Sequence, residues 1–95
     1  MTETHIKNDK QLFFNQIRGV IQELNDGEEF CSLTLSVGHE NNRNVNLVLK
    51  KPLFDQLMHN YQVGEKVSVR FYISSRKKHE RWYTTATVLD IQREN

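Results

Sequence analysis

"KKPLFDQLMHNYQVGEKVSVRFYIS", residues 50–74, changes its hydrophobic period halfway along. In the first half Leu53, Leu57 and Tyr61 share one helical face with Phe54 and Met58 beside them, and Pro52 suits a first helical turn. Gly64 is placed to stop the helix. From Lys66 the pattern becomes strict alternation, with Val67, Val69, Phe71 and Ile73 expected inward and Ser68, Arg70, Tyr72 and Ser74 outward. A helix of about two turns that delivers the chain into a strand over residues 66–74 fixes the centre of the fold.

Working outward, residues 82–91 are rich in β-branched and aromatic side chains and read as a fifth strand. Its faces, Tyr83, Thr85, Thr87, Leu89 and Ile91 against Trp82, Thr84, Ala86 and Val88, are both partly apolar, which predicts burial on both sides or an interface. Before the helix, Val45, Leu47 and Leu49 alternate with Asn44, Asn46, Val48 and Lys50 to give strand three. Strand two spans residues 30–37, with Cys31, Leu33, Leu35 and Val37 on the core stripe and Phe30, Ser32, Thr34 and Ser36 opposite. The "GHENNRN" loop between them makes these two strands antiparallel. "NDGEE", residues 25–29, is a turn signal, and residues 13–24 read as a long strand one in which Gly19 suits a bulge or kink. Residues 1–11 have no apolar anchors and read as a flexible tail; residues 12–93 read as one domain.

The order is β-β-β-α-β-β. An all-β chain of five strands with one short helix between strands three and four is the layout of the OB-fold, a small Greek-key barrel. At 95 residues the chain suits a single domain with a modest core. Its formal charge of +1 means that any charged binding surface must come from uneven placement. Cys31 is the one cysteine, which excludes an intrachain disulfide, fits a reducing compartment and predicts a small buried hydrophobe. No apolar leader or stretch of roughly 18 apolar residues is present, so a cytoplasmic protein with no membrane association is expected.

His5, His39, His59 and His79 lack ligand spacing, the four glycines form no phosphate loop, and no Ser/His/Asp or Cys/His set stands out. No catalytic site, metal or cofactor is therefore expected, and the chain reads as a binding protein rather than an enzyme.

"LFDQLMHNYQVGEKVSVRFYISSRKKHERWYTTATVLDI" resembles the second half of the bacterial single-stranded DNA-binding protein family. The shared pieces are a helix of the same length, the V-G turn into strand four, and a basic "SRK" leading to "RWYTT". The chain is still more similar to small relatives of that family that lack its acidic C-terminal tail. The resemblance covers residues 19–91 and is weaker in strands one and two. It implies an OB-fold that binds single-stranded DNA, with RNA as the other candidate polymer, in replication, recombination or mobile-element transfer. It also implies a homodimer or homotetramer built through barrel strands.

In that family bases stack on aromatics and phosphates meet lysine and arginine. Three of its stacking positions fall here on Asn44, Lys50 and Lys78, a loss expected to weaken binding by orders of magnitude unless replaced. The sequence stops at Asn95 without the linker and acidic tip that recruit partner proteins in the family, so no such recruiting role is expected.

The candidate interface centres on "SSRKKHERWYTT", residues 74–85, where OB-folds grip oligonucleotides with the loop between strands four and five. Arg76, Lys77, Lys78 and Arg81 are candidate phosphate contacts, with Trp82 or Tyr83 stacking. Lys50, Lys51 and Arg70 form a second cationic set that Arg18 and Arg43 extend, and Tyr72 is a further stacking candidate. Phe30 suits either a wet binding surface or packing on strand one, and Phe13 or Phe14 an oligomer contact. The plainer reading is a solvated hairpin whose aromatics pack at home. The alternative function is an OB-fold protein-interaction module that binds no nucleic acid.

Overall fold

The computed structural model describes residues 14–38 and 42–94. The expected tail, Phe13, His5 and His39 lie outside the described residues. Five strands and one helix follow in the expected order: β1 (Phe14–Asp26), β2 (Cys31–Val37), β3 (Arg43–Leu49), α1 (Lys51–Asn60), β4 (Lys66–Lys78) and β5 (Arg81–Arg93). The strands close into a barrel in the order β1-β2-β3-β5-β4, the OB-fold.

β1 is long because it serves two neighbours. Its first half pairs with β4, from Phe14 opposite Tyr72 to Val20 opposite Lys66, and its second half pairs with β2. The register shift that bends it falls between Ile21 and Glu23, beyond the Gly19 expected to carry it. Gly19 stays in register opposite Val67 and is needed for space. A Cβ there would stand 2.7 Å from the Ser36 carbonyl oxygen and 2.8 Å from Val37 Cγ1.

Alternation along the strands fills the interior with Ile21, Leu33, Leu35, Leu47, Val67 and Val69, and Cys31 is buried with them as expected. α1 adds Phe54 and Leu57 to the same cluster, each burial contributing about 1.5–3 kcal/mol. The helix runs 10 residues, longer than two turns, with Pro52 in its first turn. Met58 does not join the packing face and is exposed, since it follows Leu57 by a rotation of about 100° around the axis. The helix ends at Asn60 with Tyr61 as its cap, short of the Gly64 expected to stop it, and Gly64, at φ +100°, instead makes the turn into β4.

The β4–β5 hairpin departs most from expectation. Both strands are 13 residues long, and their pairing continues to Lys78 opposite Arg81. His79 and Glu80 close it with positive φ of 53° and 65°. β1 flanks this hairpin as far as Tyr72 and β3 as far as Thr87; beyond those points no strand among the described residues covers it. Residues 73–78 and 81–86 therefore project as a two-stranded arm about 20 Å long at 3.3 Å per residue. Ile73, expected inward, is 55% exposed because the barrel interior ends beside Phe71. β5 is not buried on both sides either: Val88 is its buried residue, and Leu89, displaced by a register shift opposite Arg70 and Phe71, is exposed. No described helix is long and apolar enough to cross a membrane.

Candidate nucleic-acid interface

The register of the arm sorts its side chains. Tyr72 opposes Thr87, Ser74 opposes Thr85, Arg76 opposes Tyr83 and Lys78 opposes Arg81, so these eight residues share one face. Ile73 with Ala86, Ser75 with Thr84, and Lys77 with Trp82 share the other.

The first face continues into an open groove on the outside of the barrel. Its upper part runs from Ser74 and Thr85 past Arg76 and Tyr83 to Lys78 and His79, with Ser75 and Thr84 also contributing to its wall, and its lower part is lined by the β1–β2 turn, Lys50 and Lys51. Phe30, Val48, Tyr72 and Thr87 line both parts and form a continuous floor. Thr87 brings this floor together, because it pairs with Tyr72 on β4 and with Val48 on β3. Phe30 is 61% exposed and Tyr83 48% exposed, so both rings present surface along this path.

The candidate cations are not equivalent. Arg70 is clamped by Asp90: its Nε donates to both carboxylate oxygens at 3.0 and 2.9 Å, and its Nη2 donates to Oδ2. Its guanidinium also lies 5.1 Å from the Phe14 ring centroid. The Arg70 hydrogen bonds hold the Asp90 carboxyl below the usual carboxylate range, and Asp90 raises the Arg70 pKa in return. Arg70 does not line the groove.

Lys51 lines the lower end but is engaged by Asp26 at 2.7 Å and Asp55 at 3.5 Å. The Lys51 hydrogen bond lowers the Asp26 pKa, and Asp26 raises that of Lys51. Burial, followed by the neighbouring Asp26, pushes the Cys31 thiol up, so it remains a protonated core group. Lys77 lies on the back of the arm, 4.0 Å from Glu80. Lys50, Arg76, Lys78 and Arg81 have no carboxylate within 4.0 Å among the described residues.

The groove is thus polarised. Its upper end carries Arg76 and Lys78, and its lower end carries Asp26, Glu28 and Glu29 beside Lys50 and Lys51. The adjoining outer face of β2 and β3 is neutral, with Asn46 Nδ2 donating to Thr34 Oγ1 at 2.8 Å and Ser36 Oγ donating to Gln22 Oε1.

Of the nine residues singled out in the sequence, the structure brings Lys50, Lys51, Tyr72, Arg76 and Lys78 to the groove and places Arg81 on the same face. Arg70, Lys77 and Trp82 lie elsewhere. Trp82 points to the back because consecutive strand residues face opposite ways, so the ring that enters the groove is Tyr83. Val48 and Thr87 carry no charge or ring to mark them, and they meet only through the long-range β3–β5 pairing.

No protein-family model matches the chain, and no curated protein sequence matches it. Solved structures do share the fold. The mitochondrial single-stranded DNA-binding protein Rim1 from S. cerevisiae matches with a TM-score of 0.65 and 14% identity, over 84% of this chain and 90% of its own. The dimeric N-terminal domain of the PriB protein from Thermoanaerobacter tencongensis matches with a TM-score of 0.58 and 16% identity, over 88% of this chain and 98% of its own. The likeness is one of fold, the OB barrel that the sequence predicts.

Proposed function

We propose that the chain binds single-stranded DNA along the groove that runs from the arm to the β1–β2 turn. Arg76, Lys78, Arg81 and Lys50 neutralise phosphates, and bases stack on Tyr83 and Tyr72 with Phe30 beyond them. The observation that carries this reading is the register of the arm, which sets Arg76 opposite Tyr83 on the face that opens into the groove. A base on the ring and its phosphate on the guanidinium is the chemistry by which single strands are held without base-specific contacts.

The aromatic platforms absent at Asn44, Lys50 and Lys78 are replaced, in this reading, by rings at other positions of the same outer surface. The fold shared with a single-stranded DNA-binding protein and with a dimeric PriB domain supports the choice of DNA and of a homo-oligomer. The setting that fits is a cytoplasmic one, on strands exposed during replication, recombination or mobile-element transfer.

Anisotropy titration of labelled oligo-dT and oligo-dC at low and moderate salt tests the proposal. Saturable binding that weakens with salt is expected; no binding at low salt, or binding indifferent to salt, refutes it. The second reading, a protein-interaction module, is favoured by the exposed Met58, Val63 and Leu89 and predicts no binding in the same titration.

A further inference from the structure

Two dipeptides meet across the arm: Arg76-Lys77 on β4 and Trp82-Tyr83 on β5. Alternation sends the members of each dipeptide to opposite faces, and the antiparallel register sets Arg76 against Tyr83 and Lys77 against Trp82. The arm thus carries the same cross-strand pair twice, a cation opposite an aromatic, once on the groove face and once on the back.

The back is open surface. Trp82 is 68% exposed, and Ser75 and Thr84 beside it hydrogen-bond each other at 2.8 Å. Glu80, the carboxylate paired with Lys77 among the described residues, stands 4.0 Å away and is itself exposed, too distant and too wet to hold the ammonium.

We propose that the back of the arm is a second contact for single-stranded DNA, with a base stacked on Trp82 and a phosphate on Lys77, so that one strand straddles the arm. The inference rests on the groove being the primary single-strand site. The occupant follows from chemistry: a flat indole flanked by a cation and hydroxyls fits a nucleobase with its phosphate, whereas an apolar protein surface would have to desolvate Lys77. The path is short as well. Two paired strands are about 4.8 Å apart and the closing turn has two residues, so a strand leaving the groove at Lys78 passes over the tip and reaches Trp82 directly.

Trp82 is the sole tryptophan, so indole emission reports the back face alone. The full chain is titrated with oligo-dT of ~6 and ~20 nucleotides, one near the short end of OB-fold site sizes and one beyond the long end, using a labelled strand for anisotropy and an unlabelled one for emission. Both lengths should bind, and only the longer should quench Trp82. Trp82→Ala should weaken the longer strand by roughly fivefold or more, the least expected for a lost stack, and leave the shorter unchanged; Trp82→Phe should restore it. Tyr83→Ala should weaken both.

Binding of the longer strand without quenching, or with an affinity unchanged by Trp82→Ala, overturns the second contact and leaves the groove reading standing. No binding of either length overturns both. If Trp82→Ala instead turns an oligomer into a monomer by light scattering, the back face joins copies of this chain and the proposal falls.

Discussion

Replacing Arg76 and Arg70 in turn by alanine separates a cation that faces the groove from one already spent on a carboxylate. Lys50, Arg76, Lys78 and Arg81 have no acidic partner within 4.0 Å among the described residues, whereas Arg70 is held by Asp90. Each phosphate neutralised on a single strand contributes about −0.7 to the slope of log affinity against log salt, so four contacts give a slope of about −2.8. Raising salt from about 50 to about 200 mM should then cost about 50-fold in affinity. With Arg76→Ala the slope should flatten to about −2.1, and the same salt step should cost about 20-fold. Arg70→Ala should keep the slope of the parent protein and lower stability only slightly, as is usual for an exposed ion pair. The assay is anisotropy with labelled oligo-dT over a salt series, with circular dichroism to show that each variant is folded. A slope near zero in the parent protein refutes the electrostatic grip. Flattening by Arg70→Ala equal to that by Arg76→Ala refutes the distinction between free and clamped cations.

Tyr83→Ala should weaken oligo-dT binding by about 5- to 150-fold, the range for one lost base stack, while Tyr83→Phe keeps most of the affinity in the same titration. Gly19→Ala should destabilise the barrel by about 1–3 kcal/mol, read as a lower urea midpoint, because the new Cβ meets a backbone carbonyl that cannot swing aside. Asp26 and Asp90 both have folded-state pKa values below those of free carboxylates. Their contribution to stability is therefore complete above the unfolded value of about 3.9 and is lost as pH falls through the folded values. Urea melts across that acid range should show the loss, and Asp90→Asn should flatten part of it.

The barrel was legible in the sequence because its evidence is local. Leu33, Leu35, Val67 and Val69 alternate with polar residues, and Pro52 and Gly64 bracket the one helical stretch. The arm was harder to read. Residues 75–81 are charged or polar and look like a loop, yet they continue the ladder to Lys78 and Arg81, because a two-stranded ribbon in solvent has no apolar face to announce it. Its turn gives no cue either, since His79 and Glu80 take positive φ without the usual asparagine or glycine. The candidate site shared this difficulty. That Trp82 and Tyr83 face opposite ways follows from their adjacency, but which of them faces the groove depends on the register that pairs Tyr83 with Arg76. Arg70 looked available until β5 brought Asp90 beside it, a partner 20 residues along the chain.

The β3–β5 junction has a further consequence. Every other neighbouring pair in the barrel is an antiparallel ladder several residues long, while β3 and β5 meet in parallel with Val48 opposite Thr87 as the registered pair. That junction is the seam at which the barrel is least stitched, and Val48 and Thr87 are also the floor of the groove. A strand held in the groove as proposed would lie across this seam like a suture, so that filling the groove and keeping the barrel closed would become one equilibrium.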